Sequence, residues 1–262
     1  MYKNIFKSIV LLSSFQAVAQ QTPNDVSENY FTENDTVKKL KEVVIEAKKN
    51  TSKSSVNRAG IKEKDLPQAI QVIGTEIIQQ QQSIRLSDVV KNANGVYVGS
   101  ARGGAQESFW SRGYDMSANN MFKNGFRFNS GSIPEVASLE KVEILKGSAA
   151  LLYGNVAPGG IMNMVTKSPN FRTGGEFTMQ AGSYSFYKPS ADVYGTFNNS
   201  IAYRFNGSYE NSESFRDYVT RERYYVNPSL LFKVSDKTEI TLQADYLSDD
   251  WTPDFGTGSI GK

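Results

Sequence analysis

The sequence predicts an α+β domain followed by the first five or so antiparallel strands of a transmembrane β-barrel, and three observations carry that expectation. The hydrophobic pattern changes after Pro169, from short mixed elements to long segments of strict alternation. Those late segments run for about ten residues with aromatics near their ends, as strands need when one face meets lipid and the other a wet lumen. The mean hydropathy of −0.44 argues against a helical membrane protein. It leaves a barrel open, because barrel strands are only half apolar.

Composition removes several function classes. The 262 residues contain no histidine and no cysteine. Ser-His-Asp and Cys-His nucleophiles, His/Cys zinc sites, iron–sulfur sites and thiol redox chemistry are therefore out of reach, so no catalytic or metal-ligating residues are expected. The formal charge of +2, from 29 Lys+Arg against 27 Asp+Glu, lacks the concentrated basic face of a nucleic-acid binder.

Residues 1–19 read as a secretory signal. Lys3 and Lys7 form the basic start, Ile9 to Leu12 and Phe15 the short apolar run, and Ala17-Val18-Ala19 the small-x-small cleavage site. The run is too short for a membrane span of about 20 residues. Residues 20–65 follow as a polar leader without strand or helix period, read as flexible. One island interrupts it, Glu42-Val43-Val44-Ile45-Glu46-Ala47. Its β-branched residues suit addition to the edge of a partner's sheet, and equally a first strand of the domain that follows.

Residues 66–168 predict one compact α+β domain. Ala69 to Ile73 is a short strand, and Thr75 is a candidate cap for a helix from Glu76. Leu86, Val89 and Val90 share a face of a second helix that stops at Asn94-Gly95. Val96 to Val98, Ser108 to Gly113, Lys141 to Lys146 and Ile161 to Thr166 read as strands, with a one- or two-turn helix over 147–154. In 141–146, Val142 and Ile144 define a single apolar side. Gly147, Gly154, Gly159 and Gly160 lack the Gly-Lys-Ser/Thr of a phosphate loop and read as turn and packing glycines.

Strands are expected near 175–182, 188–197, 200–210, 223–234 and 238–247. Ile201, Tyr203, Phe205, Gly207 and Tyr209 alternate with Ala202, Arg204, Asn206, Ser208 and Glu210; Ile240, Leu242, Ala244 and Tyr246 repeat the pattern. Asn198-Asn199 and Ser235-Asp236-Lys237 are tight turns, whereas 210–222 reads as a long loop and another loop begins at Ser248. Asp249 and Asp250 are adjacent and point apart on a strand, so they make no hydrolytic pair. A soluble β-sandwich uses similar alternation, and a secreted β-rich binding module stays open on these residues alone.

Several ordered motifs resemble the N-terminal part of a TonB-dependent outer-membrane receptor of the ferric-siderophore class. The island 42–47 resembles its Ton box, Leu66 to Ile73 the opening strand of its plug domain, Arg112-Gly113-Tyr114 its Arg-Gly-aromatic element and Lys123 to Arg127 its Asn-Gly hairpin. The run from Val142 to Gly154, continued by Pro158 to Lys167, is the most specific part of the likeness, and Thr252 to Gly256 resembles a receptor loop. Asn92 to Val96 stands where the family usually carries Pro-Gly-Val. The resemblance implies a plug over 66–168 and a partial barrel over 169–262, with a ferric siderophore as transported ligand and no cofactor. It implies TonB as partner, with ExbB and ExbD acting through it, and outer-membrane lipid around the wall. Arg102, Trp110, Arg112, Tyr114, Arg127 and Phe128 are the candidate ligand-facing residues, since guanidinium forks and flat rings suit anionic, aromatic chelates. Arg112 and Arg127 have a second reading, as ion-pair partners locking plug to wall. Cobalamin or a glycan is the alternative nutrient; the absent histidines disfavour haem, and the leader is short for a glycan importer. A barrel of 22 strands needs on the order of 450 further residues. The chain is therefore expected to be a fragment that neither spans a membrane nor transports alone.

Overall fold

The computed structural model describes residue 55 and residues 69–256, except 118, 129–130 and 148–152, with the side chains of 101 and 102 also left aside. Two bodies of structure follow each other along this stretch, an inner domain and a wall.

The inner domain starts with β1 (Ala69–Gly74), α1 (Thr75–Gln80), α2 (Leu86–Val90), β2 (Val96–Ala101) and β3 (Glu107–Ser111). It continues with β4 (Tyr114–Asp115), β5 (Met121–Lys123), β6 (Phe126–Arg127), β7 (Leu139–Lys146) and β8 (Ile161–Thr166). The strands form a five-stranded sheet in the order β1-β7-β8-β5-β6 and a small sheet β2-β3-β4. Only β5 and β8 run parallel within the larger sheet. Ile73, Leu86, Val89, Phe109, Val142, Ile144, Met162 and Met164 close the main core against both helices. Leu145, Phe122, Tyr153 and Ile161 make a second cluster.

That second cluster corrects one expectation. β7 is not one-sided: Val142 and Ile144 face the main core, Leu145 faces the second cluster, and Glu143 is wholly buried. A central strand covered on both faces loses its period-two signature. Two smaller corrections are local. Thr75 is the first residue of α1 rather than its cap; Gly74 takes the cap position without a side-chain hydrogen bond. The strand expected to reach Gly113 ends at Ser111, because Arg112 and Gly113 both have positive φ, 52° and 82°, and turn the chain.

Gly160 sits at φ 115°, where a Cβ would press into the Leu145 carbonyl. Gly160→Ala is expected to destabilise the inner domain by more than about 1 kcal/mol. A chemical-denaturation midpoint no lower than that of the native chain would contradict the packing described.

The wall is a single sheet in the order β13-β12-β11-β10-β9, built from β9 (Gly174–Ala181), β10 (Tyr187–Asn198), β11 (Ile201–Glu213), β12 (Thr220–Ser235), β13 (Thr238–Gln243) and β14 (Tyr246–Trp251). Both β13 and β14 pair with β12, over 229–235 and 221–226 respectively, so they are two halves of one strand broken at 244–245. The expected count of five therefore holds as five strand positions. The loop expected over 210–222 is shorter, 214–219, and Ser248 to Asp250 belong to β14 rather than to a loop. The Asn211–Glu222, Ser212–Arg221 and Glu213–Thr220 pairings extend the β11–β12 ladder into what composition alone marks as polar loop.

Burial in the wall is inverted relative to a water-soluble sheet. Asn206, Glu210, Arg223 and Asn227 are at most 1% exposed, whereas Phe177 is 73%, Leu242 56% and Phe205 42% exposed. The polar side rests on the inner domain and the apolar side points away. Tyr187, Tyr209 and Tyr224 cluster on that outward side, with ring centroids 5.7 and 4.7 Å apart, near the ends of the strands that carry the longer loops. Phe197 and Tyr203 pair at 4.8 Å near the short turns. Six residues separate Tyr203 from Tyr209, about 20 Å along the strand. Apolar band and flanking aromatics are the arrangement of a barrel in a bilayer.

Candidate functional site

The seam between inner domain and wall is held by charges in a specific register. Glu210, Arg223 and Asp249 are direct cross-strand neighbours on the inward side of β11, β12 and β14, and Lys188 of β10 lies 3.5 Å from Glu210. Signs alternate along this row, and the inner domain completes it. Arg85 makes a two-pronged pair with Glu210. Glu135 takes the Lys188 ammonium at 2.8 Å on Oε1 and the Arg223 guanidinium at 3.3 Å on Oε2. Asp249 takes both Arg223, at 2.9 Å, and Arg221, at 3.2 Å. Asp250 points to the other side opposite Glu222, as adjacent strand residues must.

Burial pushes the Glu135 carboxyl upward, but Lys188 and Arg223 outweigh it and hold the group down at about 2. Glu107, beside the Ser87 amide, is raised because its burial exceeds what that amide and Arg85 return. Further contacts run toward the short-turn end of the wall: Lys123 to Asp245 at 2.7 Å, Lys167 to Asp192 at 3.0 Å, Ser138 to Tyr225 at 2.8 Å. Asn124, at φ 51° in the β5–β6 turn, reaches Gln243 at 2.9 Å.

At the long-loop end a cleft of about 290 Å³ opens between the inner-domain turn Arg102–Gly104 and the ends of β11, β12 and β14. Arg85, Gly103, Gly104, Arg221, Trp251 and Asp254 are among its lining residues. Arg221 donates to the Gly104 carbonyl and lies 5.7 Å from the Trp251 ring centroid. The Asp254 amide donates to Gly103 at 3.2 Å, and the Phe255 ring covers Gly103, where a Cβ would stand 2.8 Å from it. The Thr252 to Gly256 segment thus meets this turn directly.

The candidate ligand-facing residues do not converge. The backbone of Arg102 begins the turn at the cleft; its side chain lies outside the described residues. Arg112 and Tyr114 sit at the opposite end of the β2–β3 ladder, since Val96 pairs with Ser111 there and Ala101 with Glu107 at the cleft end. Five residues of ladder separate the two ends, about 17 Å. Trp110 is half-buried and stacks on Tyr97 at 6.4 Å. Arg127 is exposed and donates to Asn119 at 3.2 Å and to the Asn155 carbonyl at 2.8 Å; Phe128 packs on the main core. No pairing of Arg112 or Arg127 with a wall carboxylate is found among the described residues, and Arg85, which sequence reasoning missed, takes that part. The island 42–47 lies outside the described residues, as does most of the helix expected over 147–154.

A family profile described as the TonB-dependent receptor plug domain matches residues 62–161. The chain is placed by this among the TonB-dependent receptors: its inner domain is the plug, and its wall matches the N-terminal portion of their barrel. The metal-pseudopaline receptor CntO of Pseudomonas aeruginosa is 30% identical over 215 residues, 78% of this chain and 29% of that protein. The catecholate siderophore receptor Fiu of Escherichia coli K12 is 30% identical over 202 residues, 75% of this chain and 26% of that protein. The crystal structure of that ferric-catecholate import receptor, in its open form, superposes with a TM-score of 0.67 at 29% identity over 75% of this chain and 29% of the other. The chain therefore spans less than a third of the length of these relatives.

Proposed function

We propose that this chain supplies the plug and the first wall strands of an outer-membrane receptor that imports a ferric siderophore with energy transmitted by TonB. The observation that carries the proposal is the inverted wall: charged side chains grip the plug while Phe177, Phe205 and Leu242 face outward. A secreted sandwich would bury that apolar side instead, because about 25 cal/mol per Å² favours doing so in water. Residues 1–19 serve as the export signal and 42–47 as the Ton box that TonB pairs by strand addition. ExbB and ExbD act through TonB.

The relatives named for pseudopaline and for catecholate chelates support a metal chelate as ligand. The cleft beside Arg102, with Arg221, Trp251 and Asp254, offers donors and an aromatic face suited to anionic, conjugated chelators. Binding there loosens the plug's hold on the wall; the pull through 42–47 then opens a path. No covalent chemistry is asked of the protein.

Val44→Pro tests the energised step. Proline removes an amide from any strand ladder, so binding of the TonB C-terminal domain is expected to fall at least tenfold while plug stability stays unchanged. Unaltered TonB binding in a titration calorimeter would overturn the assignment of 42–47.

A further inference from the structure

Two cavities follow one another between α1 of the plug and strands β9 and β10 of the wall. The one nearer the long loops, of about 190 Å³, has Gln79, Ser83, Lys188 and Ser190 in its lining. The second, of about 270 Å³, reaches Tyr194 and Arg204, and both are lined by Thr75, Gln79, Lys167, Glu176 and Asp192. From Lys188 to Tyr194 the inward side of β10 runs about 20 Å toward the short turns. Ser83 Oγ is buried there with no hydrogen-bond partner among the described residues. With polar groups on both walls and room for several waters at about 30 Å³ each, the first cavity is a hydrated one.

A partition separates this track from the cleft beside Arg102. Arg85 lines the cleft and Lys188 lines the first cavity. Buried Glu210 lies between them, taking the Arg85 guanidinium in two hydrogen bonds and the Lys188 ammonium at 3.5 Å. The plug's grip on the wall differs to either side of this point. Glu135 holds Lys188 and Arg223 in buried ion pairs. Between α1 and β9 the grip is two exposed hydrogen bonds, from Gln79 Nε2 to Glu176 Oε2 at 2.9 Å and from Gln180 Nε2 to the Gln82 carbonyl at 3.1 Å. Water replaces exposed bonds of that kind at little cost. Gln82 also stands at φ 49°, so the turn that ends α1 stores strain that a shift relieves. Lys167 crosses the second cavity to Asp192 at 3.0 Å, but Arg204 holds the same carboxylate at 2.8 and 2.7 Å, so Asp192 keeps a counter-charge when Lys167 swings away.

We propose that the imported chelate crosses the plug along this track, with the Arg85–Glu210 pair as its gate. An anionic chelate in the cleft meets Arg85 first and competes with Glu210 for the guanidinium. Glu210 then retains Lys188, so opening leaves no bare buried charge. At 190 Å³ the first cavity is smaller than the roughly 300–1,000 Å³ of a ligand pocket, so α1 must swing off β9 for passage. The gate stands on its own geometry; its use by a chelate rests on reading the cleft as the ligand site.

Two bridges between plug and wall tell the sides apart, in a full-length receptor of this family carrying these residues. Q79C with E176C, joined by a short reducible bis-thiosulfonate, pins α1 to β9. K123C with D245C, joined in the same way, pins the β5–β6 hairpin to the wall at the β13–β14 break. Uptake of a radio-iron catecholate complex is expected to stop with the first bridge, to return on reduction, and to continue with the second. Uptake past the first bridge, or equal block by both, overturns the route. The gate is read without any chelate, by an uncharged, sugar-linked thiosulfonate added to porin-deficient cells. Arg85→Ala is expected to speed labelling of S190C about tenfold and to leave S229C, on the inward side of β12, unchanged. An equal rise at both positions reports a plug loosened throughout and overturns the gate, as does no rise at S190C. Faster labelling of S190C in a receptor that neither binds nor imports the complex keeps the gate and rejects only the chelate reading.

Discussion

Glu135→Gln is expected to cost about 1.5–3 kcal/mol in the stability of the plug against the wall, because Lys188 and Arg223 lose the buried carboxylate they share and keep only Glu210 and Asp249 as counter-charges. Both partners are nearly inaccessible, at 4% and 1% side-chain exposure, so water cannot replace the carboxylate. The chemical-denaturation midpoint of the chain measures the loss. The amide substitution keeps the shape, so a drop reports charge rather than packing. A change under about 1 kcal/mol, the scale of an exposed ion pair, would show that the network does not hold the plug.

The same group fixes a pH signature. Glu135 sits at about 2, below its ordinary 4.5. A carboxyl whose pKa falls on folding stabilises the folded state above the ordinary value and loses that contribution as pH drops through the folded one. The stability gap between the native chain and Glu135→Gln is therefore expected to be full at neutral pH and to narrow from 4.5 toward 2. A gap that widens in that window would reverse the assignment.

The second large effect belongs to the outward side of the wall. Phe205→Arg places a charge between the two aromatic clusters, and an arginine at the bilayer midplane costs about 2–4 kcal/mol. Carried in a full-length receptor of this family, the variant is expected to accumulate less in the outer-membrane fraction than the unsubstituted receptor. Phe205→Leu serves as the control that keeps the face apolar. In a water-soluble sheet an arginine at this exposed position is nearly neutral, within about 0.5 kcal/mol. Equal membrane recovery of that receptor with Phe205→Arg and without it would point to water on that side.

What the sequence disclosed follows from what repeats in it. The wall was legible because alternation recurs over 187–213 and 220–243, each residue choosing its side by a period of two. Which side counts as interior was legible only through aromatics and strand length, since both a sandwich and a barrel alternate. The plug was legible as an ordered motif series and far less as physics. Its central β7 is covered on both faces, and alternation there misled. The ionic seam stayed hidden because it joins single charges from Arg85, Glu135, Lys188, Glu210 and Arg223, scattered over the chain. One signal was available: Lys188, Glu210 and Arg223 place full charges, not neutral polar groups, on the inward register. A charge on that register needs a partner from whatever fills the lumen.

The central claim is that the apolar face of the wall meets acyl chains while its polar face grips the plug. Bimane probes at F205C and N206C, with these residues carried in a full-length receptor of this family and brominated lipids introduced into isolated outer membranes, test it directly. The account predicts strong quenching at position 205 by brominated chains with little by aqueous iodide, and protection from both at 206. Quenching at 205 by iodide but not by brominated chains would contradict it.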